Sequence, residues 1–113
     1  GYVDLEWLPS TLKHLNLSTN SLSGVLDLEH LPEGLVELLL NKNSFEDTIT
    51  LHKLPKTLKT LRVDENHLFG KIVLKNLPPK LKYLDLSHNR FEGETDFTYL
   101  PETLLLNVEY TNL

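Results

Sequence analysis

A fixed step of 23 residues governs this chain. Leu12, Leu15, Leu17, Asn20 and Leu22 return as Leu35, Leu38, Leu40, Asn43 and Phe45. They return again as Leu58, Leu61, Val63, Asn66 and Leu68, and once more as Leu81, Leu84, Leu86, Asn89 and Phe91. A constant period of this size marks a stack of similar coils, each packed only on its neighbours, with no central globular core. The register divides residues 1–113 into a partial coil 1–7, full coils 8–30, 31–53, 54–76 and 77–99, and an irregular terminal coil 100–113. All of them belong to one array.

Each full coil opens with Leu-Pro, from Leu8-Pro9 to Leu77-Pro78, and the terminal coil does the same at Leu100-Pro101. Proline lacks an N–H and fixes φ, so it suits a corner before a strand. The Leu-x-Leu that follows alternates, as a strand with one buried face does. Leu15 and Leu17 therefore point inward, and His14, Asn16 and Ser18 point outward. One such strand per coil predicts a parallel sheet. The asparagine column reads as a structural amide, because a buried amide needs backbone partners. Gly1, Gly24, Gly70 and Gly93 share a column with Asp47, at a turn that favours glycine. Beyond it lies a second alternating pair: Val3/Leu5, Leu26/Leu28, Ile49/Leu51, Ile72/Leu74 and Thr95/Phe97. This pattern predicts short parallel strands on the opposite side and little or no helix.

The last coil departs from the step. Strict register would bury Asn107 and Glu109. A shift of one residue instead turns Leu106, Val108 and Tyr110 inward, either with a compensating bulge that returns Asn112 to the asparagine column or as an irregular coil that closes the array.

The net charge of −5 is spread along the chain, without the basic stripe of a nucleic-acid surface. No apolar run is long enough to cross a bilayer as a helix, so no membrane insertion is expected. Cysteine is absent. That fits a reducing, intracellular setting or an array without disulfide-bonded caps. Gly1 falls within a repeat, so the chain reads as a segment of a longer array. Its uncapped coils offer edges for end-to-end association.

These motifs cover essentially the whole chain, and it resembles the leucine-rich repeat family. The Leu-Pro-x-x-Leu-x-x-Leu opening looks like that of bacterial effector repeats. Gly70-Lys71-Ile72-Val73-Leu74 is nearer to the plant-type repeat, and similar hybrids occur in protists. The resemblance implies a leucine-rich repeat solenoid with a concave parallel sheet and short convex strands. It also implies recognition of another protein, usually through the concave sheet.

The outward concave columns are then His14, Glu37, Thr60, Tyr83; Asn16, Leu39, Arg62, Asp85; Ser18, Asn41, Asp64, Ser87; Thr19, Lys42, Glu65, His88; and Ser21, Ser44, His67, Arg90. Arg62 beside Asp85 and Lys42 beside Glu65 are opposite-sign neighbours. Asp64, Glu65, His67, His88 and Arg90 form the densest polar group. Two histidines and two carboxylates can bind zinc, but these sit in different columns with an arginine close by. A partner footprint or a solvated face explains them better. Tyr83 and Arg62 are the residue types that anchor interfaces, and Leu39 is an apolar break in a polar column. The expected partner surface is Leu39, Arg62, Asp64, Glu65, His67, Tyr83, Asp85, His88 and Arg90. No nucleophile elbow, phosphate loop or carboxylate cleft is present, and no cofactor is implied. Asn16-Leu17-Ser18 is a formal glycosylation sequon. Three readings follow: a non-catalytic protein-binding module, a structural spacer, or the substrate-recognition arm of a larger enzyme such as a ubiquitin ligase.

Overall fold

In the computed structural model, which describes residues 1–113, each Leu-x-x-Leu-x-Leu stretch forms one short strand. In chain order the strands are β1 (His14–Asn16), β2 (Ser23–Val25), β3 (Glu37–Leu39), β4 (Ser44–Asp47), β5 (Thr60–Arg62), β6 (His67–Gly70), β7 (Tyr83–Asp85), β8 (Arg90–Phe91) and β9 (Leu105–Asn107). The odd-numbered strands form a five-stranded sheet in the order β1-β3-β5-β7-β9, all pairs parallel. This is the main sheet. The even-numbered strands form a second sheet, also parallel and in sequence order. The only helical element is a 3₁₀ turn at Leu5–Trp7, where the Asp4 carboxylate accepts from the Glu6 N–H at 3.1 Å.

Between the sheets runs one continuous cluster of 22 buried apolar residues, one layer per coil. Leu38, Leu61 and Leu84 are fully buried, as are Phe45, Leu68 and Phe91 in the column after asparagine. The equivalents at the two ends, Leu15 and Leu106, are only partly covered. The expected inward columns are therefore the core. Half of each strand's side chains leave water for it, the dominant favourable contribution to folding.

The second sheet is where the structure departs from the expectation. Its strands lie before and at the glycine column, not at the following Leu-x-Leu or Ile-x-Leu pair. Leu26, Leu28, Ile49, Leu51, Ile72 and Leu74 are buried as expected. Their segments, however, make no backbone–backbone hydrogen bonds. Alternation reports burial along one side of an extended chain, and an extended chain need not pair with its neighbour. At Thr95/Phe97 even the burial fails, since Phe97 is exposed. Each glycine-column turn has positive φ: +99° at Gly24, +90° at Gly70 and +100° at Gly93, with Asp47 at +78°. A Cβ on Gly70 would sit 2.8 Å from Thr48 Cγ2, so that column closes the strand by backbone freedom and by close approach of the preceding coil.

The asparagine column ties the coils together. Asn66 Nδ2 donates within its own turn to Val63 O (3.0 Å) and Asp64 O (3.2 Å), and across to Leu40 O of the preceding coil (3.1 Å). Its Oδ1 accepts the Phe45 N–H, also of the preceding coil, at 3.1 Å. Asn43 and Asn89 repeat the pattern, with cross-coil bonds to Leu17 O and Leu22 N, and to Val63 O and Leu68 N. Asn20 keeps only the bonds within its own turn, to Leu17 O and Ser18 O. The residue before each asparagine turns with left-handed φ: Thr19, Lys42, Glu65 and His88, between +54° and +59°.

The terminal coil is shorter by one residue. Leu104 N–H bonds to Pro101 O as Leu81 N–H does to Pro78 O, so the register holds to Leu104. Leu105 then pairs with Tyr83 and Leu106 with Leu84. The shift turns Leu106 and Val108 inward as expected, but no bulge restores the old register. Tyr110 takes the left-handed position at φ +56° and is exposed. Thr111, not Asn112, stands in the asparagine column: its Oγ1 donates to Val108 O at 2.6 Å, the bond each asparagine makes three residues back. Asn112 is exposed, and Leu113 packs against the core in the column of Phe91.

The cross-coil amides predict an asymmetry. Asn66→Ala strands a buried N–H and a buried carbonyl of the preceding coil and should lower unfolding free energy by about 2–4 kcal/mol. Asn20→Ala loses only partly exposed local bonds and should cost about 1 kcal/mol or less. Equal midpoint shifts for the two in urea titration would refute the stapling role.

Candidate functional site

The outward face of the main sheet is built by the alternation that builds the core. Its two central columns are Asn16, Leu39, Arg62, Asp85, Asn107 and Ser18, Asn41, Asp64, Ser87, Glu109. Within a strand, residues two apart stand side by side on one face. Four coils use this to form a local pair. Asn16 Oδ1 accepts from Ser18 N (3.0 Å) and Ser18 Oγ (2.6 Å). Asp85 Oδ1 accepts from Ser87 N (3.0 Å) and Ser87 Oγ (2.6 Å). Asn107 Oδ1 accepts from Glu109 N at 3.0 Å. Arg62 clamps Asp64 with two bonds, Nε to Oδ1 at 3.0 Å and Nη2 to Oδ2 at 2.9 Å.

These pairs merge at the centre. Tyr83 OH donates to Asp85 Oδ2 at 2.8 Å, and the same oxygen lies 3.9 Å from Arg62 Nη2. One guanidinium therefore serves two buried carboxylates, Asp64 and Asp85, whose side chains are 3% and 5% exposed while that of Arg62 is 35% exposed. The Asp64 carboxylate pushes the Arg62 pKa further above its usual value. Burial pushes the Tyr83 phenol up, and its bond to the Asp85 carboxylate pushes it further the same way.

The expected residues thus separate into groups. Arg62, Asp64, Tyr83 and Asp85 form one network, with Asp64 rather than Asp85 as the main partner of Arg62. Leu39 is half-buried beside it. Glu65 and His88 sit at the left-handed turn, exposed. Lys42 and Glu65 form no ion pair, although the backbone bonds between coils run on through both, from Lys42 N to Asp64 O and from Glu65 N to Ser87 O. His67 and Arg90 are exposed at the start of β6 and β8, in the second sheet. Asp64, Glu65, His67 and His88 do not converge on one point. Tyr110 stacks on His88 with ring centroids 4.4 Å apart, and Leu105 stands exposed in the Tyr83 column. Both belong to this face, but the shortened coil hid them from a strict 23-residue alignment. Ser87 was visible in its column, though its tie to Asp85 was not.

Away from this face, a shallow groove of about 500 Å³ at the Leu-Pro corner is lined by Leu54, Pro55 and the mixed charges Glu29, Glu33, Lys53 and Lys56. On the neighbouring surface His30 Nδ1 lies 2.7 Å from Asp27 Oδ2. The bond raises the His30 pKa and lowers that of Asp27. No helix is long and apolar enough to cross a membrane.

Stacked parallel strands on two sides, one coil per repeat and almost no helix, define a β-solenoid. Residues 11–31 and 80–104 match the family model described as Leucine Rich Repeat, so leucine-rich repeats stand at two positions of this register. No curated protein matches it. Solenoids of this family serve in general as surfaces for protein interaction.

Two outcomes follow from the electrostatics. Arg62→Ala leaves Asp64 and Asp85 buried without their cation and should destabilise by about 2–4 kcal/mol in denaturant titration, below the fully buried case because the guanidinium is partly solvated. A shift within error of zero would mean that water replaces the arginine. For His30, a raised pKa means that the Asp27 bond contributes fully below the ordinary value of about 6.5 and is lost as pH rises through the folded value. The lowered Asp27 pKa means loss on the acid side, as pH falls through its folded value. The imidazole titration of His30, followed by NMR, should fall toward the ordinary value in Asp27→Asn; an unmoved midpoint would contradict the bond.

Proposed function

We propose that this chain is a non-catalytic protein–protein interaction module that docks a partner on the outward face of the main sheet, at its C-terminal half. The observation that carries the reading is the Arg62–Asp64–Asp85–Tyr83 network. It holds two buried carboxylates, an arginine and a tyrosine in fixed positions, so these groups lose little freedom on binding. Around it stand the exposed His88–Tyr110 stack and Leu105. Aromatic and arginine side chains dominate binding energy at interfaces. The outward columns also differ from coil to coil while the inward columns repeat. A spacer needs only the inward columns. A substrate-recognition arm would use the same face and differ only in what is attached to it.

The experiment compares three proteins as baits in native lysate: the wild type, a main-face variant Tyr110→Ala/Leu105→Ser, and a variant of the opposite surface, Val73→Ser/Lys71→Ala. The altered residues are exposed, so all three should fold alike by circular dichroism. A partner lost from the main-face variant and kept by the opposite-surface variant is the expected result. A partner lost only from the opposite-surface variant, or none from any bait, would overturn the reading in favour of another surface or of the spacer.

A further inference from the structure

The buried pairs Leu26/Leu28, Ile49/Leu51 and Ile72/Leu74 alternate like strands, yet no backbone–backbone bond joins one coil to the next there. A ladder would hold these parallel chains about 4.8 Å apart. Without it, neighbouring coils are free to stand apart. Two slots open between them on the surface opposite the main sheet. One, of about 360 Å³, lies between the Leu26/Leu28 and Ile49/Leu51 segments. The next, of about 280 Å³, lies between the Ile49/Leu51 and Ile72/Leu74 segments.

The two slots share a backbone plan and differ in charge. The first is lined by Asp27, Glu29 and His30. The second is lined by Lys71, Lys75 and His52, and no carboxylate lines it. In a chain of net charge −5 this is a local reversal. Neither lysine forms an ion pair, with Glu94 and Asp96 of the next coil or with any other carboxylate. The flanking acids are engaged elsewhere. Glu29 accepts from Thr50 Oγ1 at 2.8 Å and lies 3.6 Å from Lys53 Nζ, and Asp96 accepts from the Thr98 N–H at 2.8 Å. Lys75 Nζ sits 5.3 Å from the centroid of the Tyr99 ring.

Alternation sets the spacing of the cations. Lys71, Val73 and Lys75 all point outward, since Ile72 and Leu74 are buried. The two lysines are four residues apart in an extended segment, roughly 13 Å between Cα atoms. Midway stands Val73, 60% exposed, and the buried Ile49 and Leu51 also line the slot. The arrangement is an apolar bed with a free cation toward each end. Its volume is at the lower end of small-molecule sites, about 300–1,000 Å³.

We propose that this slot binds a small elongated diacid: an apolar chain lies on Val73, Ile49 and Leu51, and a carboxylate at each end meets Lys71 or Lys75. The site is separate from the docking face and does not depend on it.

The test titrates the whole ¹⁵N-labelled chain with suberate and follows the amide resonances by NMR. Those of Thr50, His52, Val73 and Asn76 should shift to saturation with a Kd below about 1 mM. Those of Asp27 and Glu29, in the acidic slot of the same backbone plan, should stay in place. Octanoate keeps the chain and loses one acid, so it should bind at least about threefold more weakly, the loss of one exposed ion pair. Succinate keeps both acids but is too short to reach both lysines, and it should weaken similarly. Lys71→Gln/Lys75→Gln should weaken suberate at least about tenfold, two such pairs. All the altered side chains are exposed, so the variants should keep the wild-type circular dichroism. Octanoate or succinate binding as tightly as suberate would overturn the proposal. So would wild-type affinity in the double variant, equal shifts in the acidic slot, or no saturation.

Discussion

The bond on which the rest of this structure depends is the one from an asparagine amide to the coil before it. Hydrophobic burial draws the coils together but is non-directional, and identical leucine columns would tolerate rotation or slippage of one coil on the next. A one-residue slip would turn every inward leucine to water. The amide removes that freedom. Its Oδ1 takes the N–H of the Leu or Phe column in the preceding coil, and its Nδ2 takes a carbonyl of the preceding strand exit. Both lie where the chain turns out of the strand, so strand ladder and core column are fixed in the same step. The pattern is also directional, because every asparagine reaches toward the N-terminus. Asn20 therefore keeps only its local bonds. Phe91 receives no side-chain acceptor from Thr111, whose hydroxyl bonds to Val108 and Leu113 instead.

With the coils locked in register, the outward columns become addressable positions. A side chain on one strand meets its neighbours on the same strand two residues away and on the adjacent strands. Arg62 shows what this allows, bonding Asp64 along its own strand while reaching Asp85 on the next. As a source of stability the network is a weak argument, because burying two carboxylates costs much of what their attraction returns. Its contribution is to position: the buried groups cannot turn away, and Tyr83 is held by the carboxylate it bonds. Such preorganisation reduces what a partner must order on binding.

The fold was legible in the residues to an unusual depth because a repeat tests each column several times. Four aligned copies of Leu-x-x-Leu-x-Leu-x-x-Asn left little choice about which side chains face inward, and the structure agrees at Leu38, Leu61 and Leu84 alike. What could not be read was anything that depends on distance between coils. The pair Ile72/Leu74 is buried as its alternation demands, yet the ladder forms at His67–Gly70. Periodicity encodes which way a side chain points, not whether two backbones come within hydrogen-bond reach. The terminal coil failed for a related reason. Asn112 fits its column by counting, but one residue missing after Leu104 moves the column to Thr111, and only its bond to Val108 reveals this. For the candidate site, the column lists named the members of the network. Their burial was hidden, because Asp64 and Asp85 are enclosed by neighbours and not by their own hydropathy.

The local pairs also bear on what the array is for. Every coil faces the same local problem at the strand exit, where two outward side chains stand side by side against the turn. Asn16–Ser18 and Asp85–Ser87 solve it almost identically, with matching distances. Either solution could be copied into every coil, and a spacer would lose nothing by it. Instead, the third full coil uses an arginine clamp and the second leaves the Asn41 amide oxygen unpaired beside Leu39. Both departures cost stability that a repeated Asn–Ser pair would retain. They fall on adjacent coils, β3 and β5, on the one face where neither alters the core. A fold that isolates its inward columns so completely leaves its outward ones free to vary.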